Sequence, residues 1–248
     1  MRKKIVAGNW KMNGSYELIN SLVPALAEEA KQSQAEILVC PPSLFLGDVR
    51  RQAGERLLVG AQNCHEAESG AFTGEVSTGM LAELQLSHVL VGHSERRAIY
   101  GETDALIAQK TKAAIAAGLV AVLCVGETLE ERENGRTLDV VLGQVKAVVE
   151  QLELADWSKL VVAYEPVWAI GTGKTASSDQ AQEVHRAIRE ALAGFSQEHA
   201  DAMRILYGGS VKAANAEELF ACPDIDGGLV GGASLNVDEF ISICRAAN

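Results

Sequence analysis

The chain has 248 residues, 48% of them hydrophobic, enough for a sizeable core, and α/β barrels of this length are commonly one domain, so a single domain over 1–248 is expected. Its 33 acidic against 22 basic residues give a net charge of −11, which opposes non-specific attraction to nucleic acid or an anionic membrane and leaves any anionic ligand to be drawn by local groups. No stretch approaches membrane-spanning length and the apolar run 5–8 is too short for a signal segment. Cys40, Cys64, Cys124, Cys222 and Cys244 are odd in number with no Cys-x-x-Cys pair, which suggests neither a zinc site nor a disulfide scaffold and fits a reduced, cytoplasmic protein.

Short apolar runs recur in chain order at 5–8, 37–40, 57–61, 89–92, 120–125, 160–164, 205–207 and 228–231, eight candidate strands. Helical patterns lie between them, the clearest being Leu138, Val141, Leu142, Val145, Val148, Val149 and Leu152 on one face. Strand and helix alternate without a break in composition. That pattern predicts an α/β fold of parallel βα units and, at a count of eight, a closed (βα)8 barrel with helices around it. Ser177 and Gln180 read as a capping box opening a helix with Val184, Ile188, Ala191 and Phe195 on its inner stripe, and Asn215 with Glu218 and Asn236 with Glu239 read as N-cap and N3 partners. One connection, 62–78, is long and carries Phe72, a large apolar residue that calls for burial against something else, unless the segment is a floppy surface loop.

The residues able to do chemistry stand at predicted strand ends. Glu165 follows the charge-free run 160–164, so its carboxylate points to the crevice where α/β folds place ligands, unless it is an ordinary surface residue of a βα turn. Pro166 stiffens the exit, and the apolar Val167, Trp168, Ala169 and Ile170, followed by Gly171, Thr172 and Gly173, suit a loop that closes over a ligand and excludes water. After the first run, Asn9 and Lys11 bring an amide and an ammonium; Lys11 reads as a Schiff-base nucleophile, a fixed charge or a solvated lysine. After the fourth, His93 precedes a helix start that would keep its imidazole neutral with an N–H to donate, or it is a satisfied structural histidine. His88 is expected to precede its strand, and His65, His185 and His199 to lie in loops or on helix surfaces in structural roles. Ser94 cannot face its neighbour His93, which excludes a serine triad. The last two runs end in Gly208-Gly209-Ser210 and Gly231-Gly232, where barrels hold phosphate on backbone N–H groups. Gly173-Lys174-Thr175 looks like the end of a P-loop, but its leading glycine would fall at Trp168, so that route to a nucleotide fails.

Taken together, 9–11, 93–95, 163–174, 207–210 and 231–232 resemble the triosephosphate isomerase family, and the similarity runs the length of the chain. The resemblance implies a TIM barrel that interconverts dihydroxyacetone phosphate and D-glyceraldehyde 3-phosphate through an enediolate, with no cofactor and no metal. Glu165 would move the proton, His93 polarise the oxygens, Lys11 and Asn9 stabilise the charge with Glu95 beside the lysine, and Gly171, Ser210, Gly231 and Gly232 hold the phosphate. The split between a carboxylate base and a neutral histidine is long established for that family. The resemblance also implies a lid of Pro166, Val167, Trp168, Ala169, Ile170, Gly171, Thr172, Gly173, Lys174, Thr175 and Ala176. Phe72, Thr73 and Gly74 would dock into a second copy near Asn9 and Lys11, giving a cytoplasmic homodimer in glycolysis and gluconeogenesis, without nucleic-acid or membrane partners. Cys124 matches a buried strand cysteine, where packing is its expected role. Two other readings are a phosphosugar aldolase using Lys11 as Schiff base and a catalytically inactive barrel retained for binding.

Overall fold

The apolar runs become strands because each must present one set of side chains inward and the alternate set outward, and both sets here are hydrophobic. In the computed structural model, which describes residues 2–170 and 175–248, the strands are β1 (Ile5–Asn9), β2 (Glu36–Cys40), β3 (Leu58–Ala61), β4 (His88–Val91), β5 (Val120–Val125), β6 (Leu160–Tyr164), β7 (Arg204–Tyr207) and β8 (Gly227–Val230). Each pairs in parallel with the next, and β8 returns to β1 with Val6 opposite Gly228, so the barrel closes. Ile5, Ala7, Leu38, Leu90, Val122, Cys124, Val161, Ala163 and Leu206 fill its interior. Their neighbours Val6, Ile37, Val39, Val89, Val91, Leu123, Val162 and Ile205 face outward into a second core under the helices. Every core position of this kind contributes roughly 1.5–3 kcal/mol when a large aliphatic side chain is fully buried. Burial also pushes the Cys124 thiol up, so it packs as an inert hydrophobe.

Helix starts follow local capping chemistry. Ser177 caps the helix Ser178–Ala193 in a reciprocal box with Gln180, and Asn236 caps Val237–Arg245 by accepting the Glu239 N–H. Asn215 departs from expectation. Lys212 is the N-cap of Ala213–Phe220, and Asn215 sits at N3, where its side chain accepts the Lys212 N–H. The inner stripe of Ser178–Ala193 is Ala181, Val184, Ile188 and Leu192, while Ala191 is only half-buried. Phe195 falls beyond the helix end, is exposed and lies 6.0 Å from the Trp157 ring.

Two histidines also differ from expectation. His88 is the first residue of β4 and only 4% exposed, and His185 is wholly buried between the rings of Tyr164 and Tyr207. Desolvation pushes both down to about 4, aided at His88 by the Arg204 charge. Unfolded, each ring takes up its proton near pH 6.5. The sign follows: stability is complete above that pH and is lost as pH falls toward about 4, on the order of 3 kcal/mol per ring. Replacing His88 by leucine therefore flattens the decline between pH 6.5 and 4, read from urea unfolding at a series of pH values. An unchanged slope would remove His88 from the acid response.

Among the described residues no helix is long and apolar enough to cross a membrane.

Candidate active site

At the C-terminal end of β4 the chain must turn sharply. Gly92 does so at φ +69°, where an added Cβ would meet Ile107 at 2.9 Å. The next residue, His93, is the N-cap of helix Ser94–Tyr100, and its Nδ1 accepts the Glu95 N–H at 3.2 Å. That bond commits the Nδ1 lone pair and leaves the proton on Nε2, giving a neutral ring that donates to Glu165 Oε1 at 2.8 Å.

Glu165 leaves β6 fully buried, its Oε2 accepting the Ser94 N–H at 2.9 Å. Burial alone would raise its pKa, but the His93 ring, the Ser94 amide and the Lys11 charge more than offset that and hold it below the usual carboxylate range, so it is ionised. For His93, burial acts downward and the Glu165 carboxylate outweighs it, raising the imidazole while the pair persists. A second ring proton would still have to displace the Glu95 N–H from Nδ1, and on that geometric ground the neutral form is the resting one.

At the end of β1, Asn9 is buried and its Oδ1 accepts the Lys11 N–H at 3.0 Å. Lys11 has φ +52°, left-handed for a residue with a Cβ, and its Nζ lies 2.6 Å from Glu95 Oε1. The ends of β7 and β8 complete the ring: Asn9, Lys11, His93, Glu165, Ser210 and Gly231 line one cavity of about 330 Å³, with Gly232 also on its wall. The single turn Gly232–Leu235 begins there, with Gly231, Gly232 and Ala233 on the cavity wall.

Val167–Ala169, expected as loop, form a 3-10 turn, because Ala169 N–H can reach the Pro166 carbonyl at 2.8 Å once proline has set the approach. Ala169 and Ile170 reach the cavity wall, and Thr175 and Ala176 lead into the Ser177 cap. Gly171, Thr172, Gly173 and Lys174, expected in the lid and in part on the phosphate, lie outside the described residues. Phe72, Thr73 and Gly74 form an exposed tip away from this cavity, with Phe72 resting on the His65 ring at 4.1 Å.

Glu127 went unrecognised in the sequence. It is fully buried after β5, and its Oε1 receives the Trp168 indole at 2.9 Å and both the Tyr164 hydroxyl and the Arg132 guanidinium at 3.2 Å. It carries the signal that marked Glu165, a carboxylate just past a charge-free strand. Glycines here also serve the base: a Cβ on Gly126 would strike the Glu165 carbonyl, and one on Gly208 would lie 2.9 Å from Glu165 Cγ. Gly208→Ala should accordingly cost about 10- to 100-fold in kcat by moving the carboxylate. Steady-state kinetics on the folded variant check this, and an unchanged kcat would mean that the carboxylate tolerates the displacement.

The model of the family described as triosephosphate isomerase matches residues 4–247. Similar proteins named triosephosphate isomerase include those of Alcanivorax borkumensis, 56% identical over 99% of both chains, Dechloromonas aromatica, 55% identical over all of both, and Pseudomonas aeruginosa, 55% identical over 100% of this chain and 99% of that one. The chain belongs to the triosephosphate isomerase family. Membership in the triosephosphate isomerase family makes the closed barrel and the isomerase class of this chain one consistent finding. Every described residue that carried the resemblance to triosephosphate isomerases at the cavity stands at the same end of the barrel.

Proposed function

We propose that the chain interconverts dihydroxyacetone phosphate and D-glyceraldehyde 3-phosphate by moving one proton between adjacent carbons, with Glu165 as base. The observation that carries this reading is an ionised, fully buried carboxylate 2.8 Å from an imidazole N–H inside a cavity that ends in glycine-rich turns. Glu165 gives up its Ser94 and His93 bonds to take the proton from the hydroxymethyl carbon, which frees the one N–H of His93. Fewer donors and an enclosed site then make it a stronger base than it is at rest. His93 Nε2–H polarises the carbonyl oxygen, and Lys11 and Asn9 face the negative charge that develops on the enediolate. The proton returns to the neighbouring carbon while the hydroxyl proton passes from the first oxygen to the second by way of His93 Nε2, so base, histidine and lysine end as they began. The phosphate rests against Ser210, Gly231 and Gly232.

Pro166 to Ala176 serve as the lid, since an enediolate phosphate left in water expels its phosphate. Glu127 anchors its stem through Trp168, whose ring also lies 4.7 Å under the Arg132 guanidinium.

The functional unit in this reading is a cytoplasmic homodimer of single-domain chains. A second cleft of about 360 Å³ lies on the other side of Lys11, bounded by Met12, Gln62, Glu95 and Tyr100. Met12 is 96% and Tyr100 68% exposed at that cleft, and Phe72 is 47% exposed at the loop tip. Exposed apolar groups at one cleft and one tip of the same chain suit a two-fold exchange of tips, which buries both. An aldolase reading is disfavoured because Lys11 is held as a charged partner of Glu95, whereas a Schiff-base lysine must attack as a neutral amine.

Dihydroxyacetone phosphate turned over in deuterium oxide tests the reaction. The expected product is D-glyceraldehyde 3-phosphate labelled at its second carbon. Absence of isomerisation, or a borohydride-trapped adduct on Lys11, would overturn it.

A further inference from the structure

We infer that Gln62 is a positioning residue for Lys11, acting from outside the substrate cavity; the inference rests on the role given to Lys11 above. Its side-chain Nε2 donates to the Lys11 carbonyl at 2.8 Å and to the Cys40 carbonyl at 2.8 Å. Cys40 O also accepts the Trp10 N–H at 3.1 Å. One amide thus pins the segment leaving β1 to the end of β2. Only the nitrogen end of an amide can face two carbonyl oxygens, so the orientation of the side chain follows from its surroundings.

The pin matters because of the backbone it holds. A lysine at φ +52° stays there only when neighbouring groups over-determine the conformation. Asn9 takes the Lys11 N–H and Glu95 takes the ammonium, which fixes the peptide before Cα and the tip of the side chain. Gln62 holds the carbonyl of the peptide after Cα, and without it the residue is free to rotate about N–Cα toward the ordinary right-handed basin. That rotation would move Cβ and carry Nζ off the position between Glu95 and the cavity. Gln62 lines the cleft on the far side of Lys11 and has no face on the cavity that holds His93 and Glu165 together, so its effect on the reaction passes through Lys11.

The test compares Gln62→Met, which keeps length and removes both donors, Gln62→Glu, and Lys11→Met alone and combined with Gln62→Met. Gln62→Met is expected to lower kcat/KM by about 100-fold, the cost of misplacing a reacting group by about 1 Å, at a concentration where sedimentation shows wild-type assembly. On the Lys11→Met background the same change is expected to alter the residual kcat/KM, followed by solvent exchange over long incubations, by less than about twofold. Gln62→Glu places a carboxyl against two carbonyl oxygens, which raises its pKa, and only the protonated form can donate to Lys11. Its activity relative to wild type should therefore climb as pH falls from about 8 to about 6. Wild-type kinetics in Gln62→Met, an equal loss with and without Lys11, or a Gln62→Glu pH profile parallel to wild type would each overturn the inference while leaving Lys11 in its role. Lys11→Met with normal turnover would instead remove the role of Lys11, and the inference with it. If Gln62→Met does not fold, the Gln62→Glu profile decides.

Discussion

Replacing Glu165 by aspartate is expected to lower kcat by about 100-fold or more with little change in KM. The backbone at this position cannot follow the shortened side chain. Glu165 N–H is tied to the Val125 carbonyl at 2.7 Å, the preceding carbonyl of Tyr164 accepts the Gly208 N–H at 2.7 Å, and Gly126 lies against the Glu165 carbonyl. Losing one methylene therefore withdraws the carboxylate by roughly 1 Å from any carbon bound beside His93, and proton transfer depends steeply on that reach. In the function proposed above the substrate is held mainly by the phosphate turns and the Lys11 charge, which the change leaves alone, so the loss falls on the chemical step. Coupled kinetics together with deuterium incorporation measure it; full turnover in the aspartate variant would mean another group is the base.

Thr73→Arg is expected to weaken self-association by about a thousandfold or more and to leave monomers of poor activity. Thr73 stands at the exposed tip between Phe72 and Gly74, whose φ of +95° turns the chain back. In the assembly proposed above, the tip enters the cleft of a second copy. The fixed cations of that cleft are Lys11 and Arg96, and of its two acids, Glu75 and Glu95, the second is already paired with Lys11. An arginine there would lose its water beside two like charges, and the two-fold arrangement imposes the penalty twice. The same change on an isolated chain costs little, since the tip is solvated. Sedimentation equilibrium across a dilution series is the direct measurement, and a dimer as tight as wild type would place the interface elsewhere.

Much of this was legible from the order of residues. Eight charge-free runs separated by 3.6-periodic segments specify strands buried on both faces and helices outside them, because only a closed parallel sheet hides that many two-sided strands. The rim proposed to hold the ligand was legible too, since Asn9, His93, Glu165, Gly208 and Gly231 each stand at the end of such a run, and strand polarity puts all those ends on one rim. Residues whose meaning lies in a partner far along the chain were not legible. His88 and His185 look like boundary or surface residues until the barrel base and the Tyr164–Tyr207 gap close around them. Gln62 reads as one more polar residue in a long loop until the Lys11 and Cys40 carbonyls meet at its nitrogen. Gly126 and Gly208 become necessary only when the strand between them brings Glu165 against both. Periodicity and turn chemistry act within a few residues and survive in the sequence. Burial, pKa and the filling of space are sums over neighbours that only folding assembles, so the tertiary structure alone decides them.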